Sequence, residues 1–215
     1  MTKTLNNIEL RRMSAAPEFR IEAITGEDGV VKRYISGYAV VFEQYSRTFW
    51  DEWVEIIDRN AFANTDMSDV VMVVDHSREV GDVLARSKNG VGSLEISIDD
   101  VGVKFRFEAP NTTRGRDLVE LIERGDISEC SFAFWVKADE WRYDVAFGDK
   151  IMDERRVLEV ARLADLSIVV TGQYAQTSVD VDERALAEEY RQANRPMGGP
   201  NKDAALELAK MKCRI

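Results

Sequence analysis

The sequence predicts a mainly β fold of the α+β class, a β-barrel with a few helices packed on it. Short runs of β-branched and aromatic residues recur between Phe19 and Val181, and Gly, Asp and Asn clusters separate them. One stretch before residue 182, Thr113 to Arg124, shows an apolar stripe at helical spacing. Many short strands with few helices favour a barrel or a sandwich.

Taken in order, residues 1 to 18 are a polar lead-in, extended or mobile. FRIEAIT (19–25), a Glu27-Asp28-Gly29 turn and VKRYISGYAVVFE (31–43) form a first hairpin, with Gly37 marking a bulge or a close backbone approach. WVEIID (53–58) is a short strand, and Asn60 to Ala63 reads as one or two helical turns. Trp50 and Trp53 suit packing better than a substrate groove, since large aromatics usually serve packing.

VVMVVDH (70–76) is a continuous apolar run of the kind buried on both faces, with His76 where it leaves the core. GDVLARS, VGSLEISID and VGVKFRFEAP follow as strands, the last two joined at Asp99-Asp100. The helix then starts at a Thr112 or Thr113 cap and stops at Gly125. It delivers the chain to Glu129-Cys130-Ser131-Phe132-Ala133-Phe134. Strands at about 128–138, 141–147, 150–162, 163–171 and 174–181 complete the domain.

Beyond Val181 the composition turns helical. DERALAEEYRQAN and NKDAALELAKMKCRI flank a Pro196 to Pro200 breaker, so residues 19–181 are the expected domain and 182–215 a helical tail with a linker at 196–200. That tail suits either a targeting and assembly segment or a solvated extension.

The chain's 215 residues are enough for one domain of roughly 150 to 200 residues with extensions. Two cysteines, Cys130 and Cys213, give neither a disulfide framework nor metal spacing, and a reducing compartment is expected. The absence of a long apolar run or a signal-like start points to a soluble, cytoplasmic chain with no membrane partner. A net charge of −10 argues against general nucleic-acid binding. The single histidine, His76, removes most metal sites from consideration; no metal and no cofactor are expected.

That histidine also locates any imidazole chemistry. A serine hydroxyl needs a base within hydrogen-bond reach, and a free imidazole titrates near pH 6.5. An Asp-His pair at a strand end fits a surface or satisfied histidine more readily than a base. The pleat puts Cys130, Phe132 and Phe134 on one face and Ser131 on the other, so Cys130 reads as an inert core thiol. Asp165 stands in the apolar LADLSIVVT, on one face with Leu163, Ser167 and Val169. A buried carboxylate needs a partner: a backbone amide, an arginine or His76 would serve.

Five ordered pieces then resemble a known family: ISGYAVVF, WVEIIDRNAF, VVMVVDHSREVGDVLARS, LVELIERGDISECSFAFWV and RLADLSIVVTGQYAQTSV. Over roughly residues 33 to 181 they look like the prohead maturation proteases of tailed bacteriophages, HK97 type. The resemblance implies a serine endopeptidase whose fold is similar to the herpesvirus assemblins. By motif it assigns the catalytic positions to Ser131, His76 and Asp165. The assemblins' second histidine has no counterpart, so a carboxylate takes the third role or the enzyme runs as a dyad. Gly172 and Gln173 depart from the family's Pro-Ala and are candidate oxyanion-hole donors.

The implied substrates are the major capsid protein and its scaffolding segment, cleaved inside the assembling procapsid in the host cytoplasm. Self-cleavage and self-association are further expectations. The alternative is a catalytically inactive β-barrel serving as a scaffolding or binding component of the procapsid.

Overall fold

The structure, a computed structural model, describes residues 8–12, 19–170 and Arg195. Its strands are β1 (Glu9–Arg12), β2 (Arg20–Thr25), β3 (Val31–Val41), β4 (Trp53–Ile57), β5 (Asp69–Val74), β6 (Val83–Lys88), β7 (Val91–Gly92), β8 (Leu94–Ile98), β9 (Gly102–Glu108), β10 (Glu129–Phe147) and β11 (Lys150–Val169). The helix α1 (Thr113–Glu123) lies between β9 and β10. Among the described residues it is the one α-helix, beside a single 3-10 turn at Val80–Asp82.

The fold is mainly β, and the expected barrel does not close. The strands form a seven-stranded sheet ordered β1-β10-β11-β5-β6-β7, with β4 also paired to β11, and a four-stranded sheet ordered β2-β3-β9-β8. Closure needs paired edges, and the larger sheet ends in the four-residue β1 and the two-residue β7. The HK97-type and assemblin-like details are therefore not carried by the strand topology.

The four-stranded sheet follows the hairpin reading. β2 and β3 pair antiparallel from Arg20↔Ser36 to Thr25↔Val31 around a turn where Gly29 takes φ +76°. Gly37 faces the Phe19 and Phe105 rings at 3.0 and 3.3 Å from where a Cβ would stand, so it is a close approach; the register shift lies just beyond it, between Tyr38 and Val40. Thr112 caps α1 by accepting the Gly115 N–H at 3.1 Å, and Gly125 (φ +78°) ends it. Leu118, Val119 and Ile122 turn that helix's buried stripe into the core.

Three local expectations change. Asn60 to Ala63 lies in successive turns, Ala61 N–H to Asp58 O, Ala63 N–H to Asn60 O and Thr65 N–H to Phe62 O, and no helix forms. β10 and β11 run without the breaks placed near residues 139 and 163. Polar residues near those breaks make lateral contacts: Lys137 bonds Glu159 at 2.6 Å, and the Arg162 guanidinium lies over Trp135. The lead-in contains a strand, β1.

The chain divides into two compact units, the first made of described residues 8–12, 19–46, 56–139 and 157–170, the second of 47–55, 140–156 and Arg195. The first holds the main core, including Phe62, Phe105, Phe107, Phe132, Phe134, Leu163 and Leu166. In the second, Trp53 packs as expected of a structural tryptophan, stacked on Phe49 at 3.9 Å and tilted on Trp141 at 5.3 Å. Arg155 and Glu55 form a buried pair at 3.1 Å there. The 182 boundary, the 196–200 linker, the 174–181 strand and Cys213 fall outside the described residues.

Candidate functional site

Three strands of the first unit bring the polar side chains together. β10 alternates Cys130, Phe132 and Phe134 into the core, with Phe132 and Phe134 stacked at 4.8 Å, which turns Ser131 to the opposite face. Along β11, Asp165 and Ser167 are successive positions on one face, both essentially inaccessible to solvent. β5 pairs parallel with β11, Asp165 opposite Val71 and Ser167 opposite Val73.

The chain leaves β5 through a tight turn in which Ser77 N–H bonds Val74 O at 2.9 Å and both central residues, Asp75 and His76, have positive φ (48° and 54°). Such angles cost a non-glycine residue about 1–3 kcal/mol, least for Asp, Asn and His. Tertiary bonds hold the turn. Asp75 N–H donates to Ile168 O at 3.1 Å and His76 N–H donates to Ser167 Oγ at 3.0 Å.

The imidazole of His76 then lies between two partners. Its Nδ1 is 2.6 Å from Asp165 Oδ1 and its Nε2 is 2.6 Å from Ser131 Oγ. A carboxylate only accepts, so Nδ1 carries the hydrogen toward Asp165 and a neutral ring leaves Nε2 as an acceptor. The side chain of His76 is 14% exposed and that of Asp165 1%. Asp165 therefore has a specific partner, which a carboxylate buried in an apolar strand requires. Arg78 Nη2 stands 3.6 Å from its other oxygen, and Ser167 Oγ, 3.1 Å from His76 Nδ1, donates to Asp165 Oδ1 at 3.2 Å.

Ser131 has a third contact. Its hydroxyl donates to the backbone carbonyl of Arg11, in β1, at 2.9 Å, and the residue has no exposed surface. Cys130 lies beside it in the core; burial pushes its thiol up to about 12, which leaves it protonated and a poor nucleophile.

Ser131, His76 and Asp165, singled out in the sequence, thus lie together. Gly172 and Gln173 lie outside the described residues. Ser167, Arg78 and Arg11 were not singled out. For Ser167 the signal existed, a second polar residue on the same face of an apolar strand. Arg78 is an exposed loop arginine, and Arg11 meets Ser131 through its backbone, which no side-chain pattern encodes.

No group of three or more His, Cys, Asp and Glu side chains able to hold a metal occurs among the described residues. No helix among them is long and apolar enough to cross a membrane.

Comparison with known proteins gives two findings. A family model described as caudovirus prohead serine protease matches residues 18–192, a span containing His76, Ser131 and Asp165. Among solved structures, the capsid assembly protease of bacteriophage T4 is similar, with 9% sequence identity and a TM-score of 0.44 over 78% of this chain and 100% of that one. No curated protein matches.

Proposed function

Because the chain belongs to the caudovirus prohead serine protease family, we propose that it is an endopeptidase in which Ser131 is the nucleophile, His76 the general base and Asp165 the group that orients the imidazole. The observation that carries this reading is the pair of 2.6 Å contacts on either side of one ring. Nε2 of His76 takes the hydroxyl proton as Ser131 Oγ attacks a peptide carbonyl carbon. Asp165 accepts from Nδ1–H and stabilises the imidazolium that forms. The imidazolium returns the proton to the leaving amine, an acyl-enzyme remains, and water activated by the same ring hydrolyses it.

Ser167 and Arg78 are positioning residues. Ser167 fixes the His76 backbone and touches the carboxylate, and Arg78 opposes its charge. Gly172 and Gln173, just past β11, remain the proposed oxyanion donors. In this reading the enzyme resembles the HK97-type prohead proteases and the assemblins, and a carboxylate replaces the assemblins' second histidine.

Substrates in this reading are the major capsid protein and its scaffolding segment, cut within the procapsid in the host cell, with self-cleavage in the 182–215 tail, whose helix-breaking 196–200 linker offers a site. Purified chain and a Ser131→Ala variant, each incubated with the cognate capsid precursor, test it. Processing by the first alone is expected; equal processing by both would end the protease assignment and leave an inactive procapsid component.

A further inference from the structure

The second unit holds a buried acidic site that the chemistry above does not use. Tyr143 and Asp144 are consecutive in β10, and a regular pleat would send their side chains to opposite faces. Asp144 instead takes φ 54°, and its N–H donates to a side chain, Asp153 Oδ1, at 3.0 Å. An irregular residue inside a strand re-aims a side chain, and here it lets two neighbours meet one group. That group is the guanidinium of Arg195, with Nη2 at 2.6 Å from Asp144 Oδ2 and Cζ at 5.6 Å from the centre of the Tyr143 ring.

The walls of this site belong to the strands. Tyr143 stacks on Trp141 at 6.3 Å, and Trp141 is tilted on Trp53 at 5.3 Å. The Asp144 side chain is 0% exposed and that of Arg195 30%, and Asp153 is a second buried carboxylate. A carboxylate at that depth requires a cation. Among the described residues, Arg195 is the one paired with Asp144. The hydrogen bond from Arg195 to Asp144 raises the guanidinium's pKa, with burial opposing and the charge of Asp153 adding to it. Oδ1 of Asp144 has no hydrogen-bond partner among the described residues, so it is open to a second N–H of the same fork. A planar fork beside an aromatic ring suits arginine, whereas a lysine ammonium is a point charge with no plane to lay on Tyr143.

We propose that Asp144, Asp153 and Tyr143 form a guanidinium-binding site whose occupant in cis is Arg195, and that this contact tethers the 182–215 tail to the second unit. Arg195 directly precedes the Pro196 to Pro200 breaker, so the tether fixes the point from which that linker starts. A cut within the linker would leave Arg195 in place. A cut before Arg195 would vacate the site for another arginine side chain. The tether itself requires no catalysis.

Two measurements test it, both in the full chain carrying Ser131→Ala, so that self-processing cannot remove the tail and neither readout depends on activity. In the first, Arg195→Ala vacates the site and N-acetylarginine amide is the probe. At roughly ten times its Kd the probe is expected to raise Tm by about 3–6 °C. N-acetyllysine amide at the same ionic strength should not, nor should the arginine probe act on the chain that keeps Arg195 or on Arg195→Ala combined with Asp144→Asn. Should Arg195→Ala fail to fold, Arg195→Lys, which keeps a charge without the fork, takes its place. No shift with the arginine probe, or an equal shift with the lysine probe, would overturn the guanidinium site.

The second measurement reads the tether. Cys130 is buried, so Ala193→Cys with Cys213→Ser carries one nitroxide label, two residues before Arg195. Electron paramagnetic resonance is expected to show an immobilised component while Arg195 and Asp144 are both present, and to lose it in Asp144→Asn and in Arg195→Ala. An equally mobile label in all three chains would overturn the tether and leave the protease reading untouched.

Discussion

Asp165→Asn keeps the size of a side chain that is 1% exposed and removes its charge, so its consequences fall on the hydrogen bonds around it. In the native site Oδ1 faces His76 Nδ1 at 2.6 Å and Oδ2 faces the Arg78 guanidinium at 3.6 Å. An amide has one oxygen and one NH2, and the guanidinium only donates. The amide therefore turns its oxygen to Arg78 and its NH2 to Nδ1. That makes Nδ1 an acceptor and puts the ring hydrogen on Nε2, where it faces Ser131 as a donor. On the proposed mechanism the base is then lost with the geometry intact.

In a well-formed triad the tautomer error costs about 10⁴ in kcat, or roughly 5.4 kcal/mol of transition-state stabilisation. The same loss is expected here in single-turnover processing of the capsid precursor. Because Arg78 drives the flip, Arg78→Ala in the Asp165→Asn background should recover part of the rate, although alone it removes a stabilising charge. A folded Asp165→Asn chain that loses only a few-fold would show that another group orients His76, and the Asp165 assignment would fall.

Three further outcomes are expected. Ser167→Ala leaves the His76 N–H without its acceptor, which should lower stability by about 1–3 kcal/mol in urea unfolding and reduce kcat more than it raises KM, with partial rescue by Ser167→Thr. Cys130, fully buried and with its thiol pushed up to about 12, should resist iodoacetamide at pH 8 in the native protein and react after unfolding; mass mapping of its peptide would show modification in the native state if the burial were wrong. The bond from Tyr38 Oη to Asp99 holds that carboxyl below its ordinary range, with the Val101 and Gly102 amides assisting. Its stabilisation is present above the unfolded carboxylate range near about 3.9 and is lost as pH falls through the lower folded value, so Tyr38→Phe should raise the acid-unfolding midpoint, and an unmoved midpoint would assign that bond no role.

Local chemistry made much of this site readable. The pleat separated Ser131 from Cys130, because alternation in a half-aromatic strand is a strictly local property. A lone histidine after a run buried on both faces, and a carboxylate inside another apolar strand, were visible for the same reason. The parallel β5–β11 pairing that joins them was not, since strands far apart in sequence carry no signal of who pairs with whom. β10 and β11 run on through polar positions where shorter strands were expected, because Lys137 with Glu159 and Arg162 with Trp135 make lateral contacts on extended chain that a single strand's residues do not reveal. β1 was missed because its conformation is imposed by its partner's edge, and ELRR contains nothing that asks to be a strand.

The turn after β5 decides whether the pairing yields a site at all. Register places Val74 opposite Ile168, so an extended continuation would carry His76 about 7 Å further along β11, at roughly 3.3 Å per residue, and away from Asp165. Two successive residues at positive φ reverse the chain and set His76 back over Ser167 and Asp165. Glycine would make that turn more cheaply, but glycine has no imidazole. Asp75 and His76 are among the residues that tolerate the left-handed region best, and the strain is offset by the bonds from their backbone N–H groups to Ile168 O and Ser167 Oγ. Ser167 thus joins the two features: the hydroxyl that accepts the His76 N–H and keeps the turn in place also touches the carboxylate that faces Nδ1 of the ring.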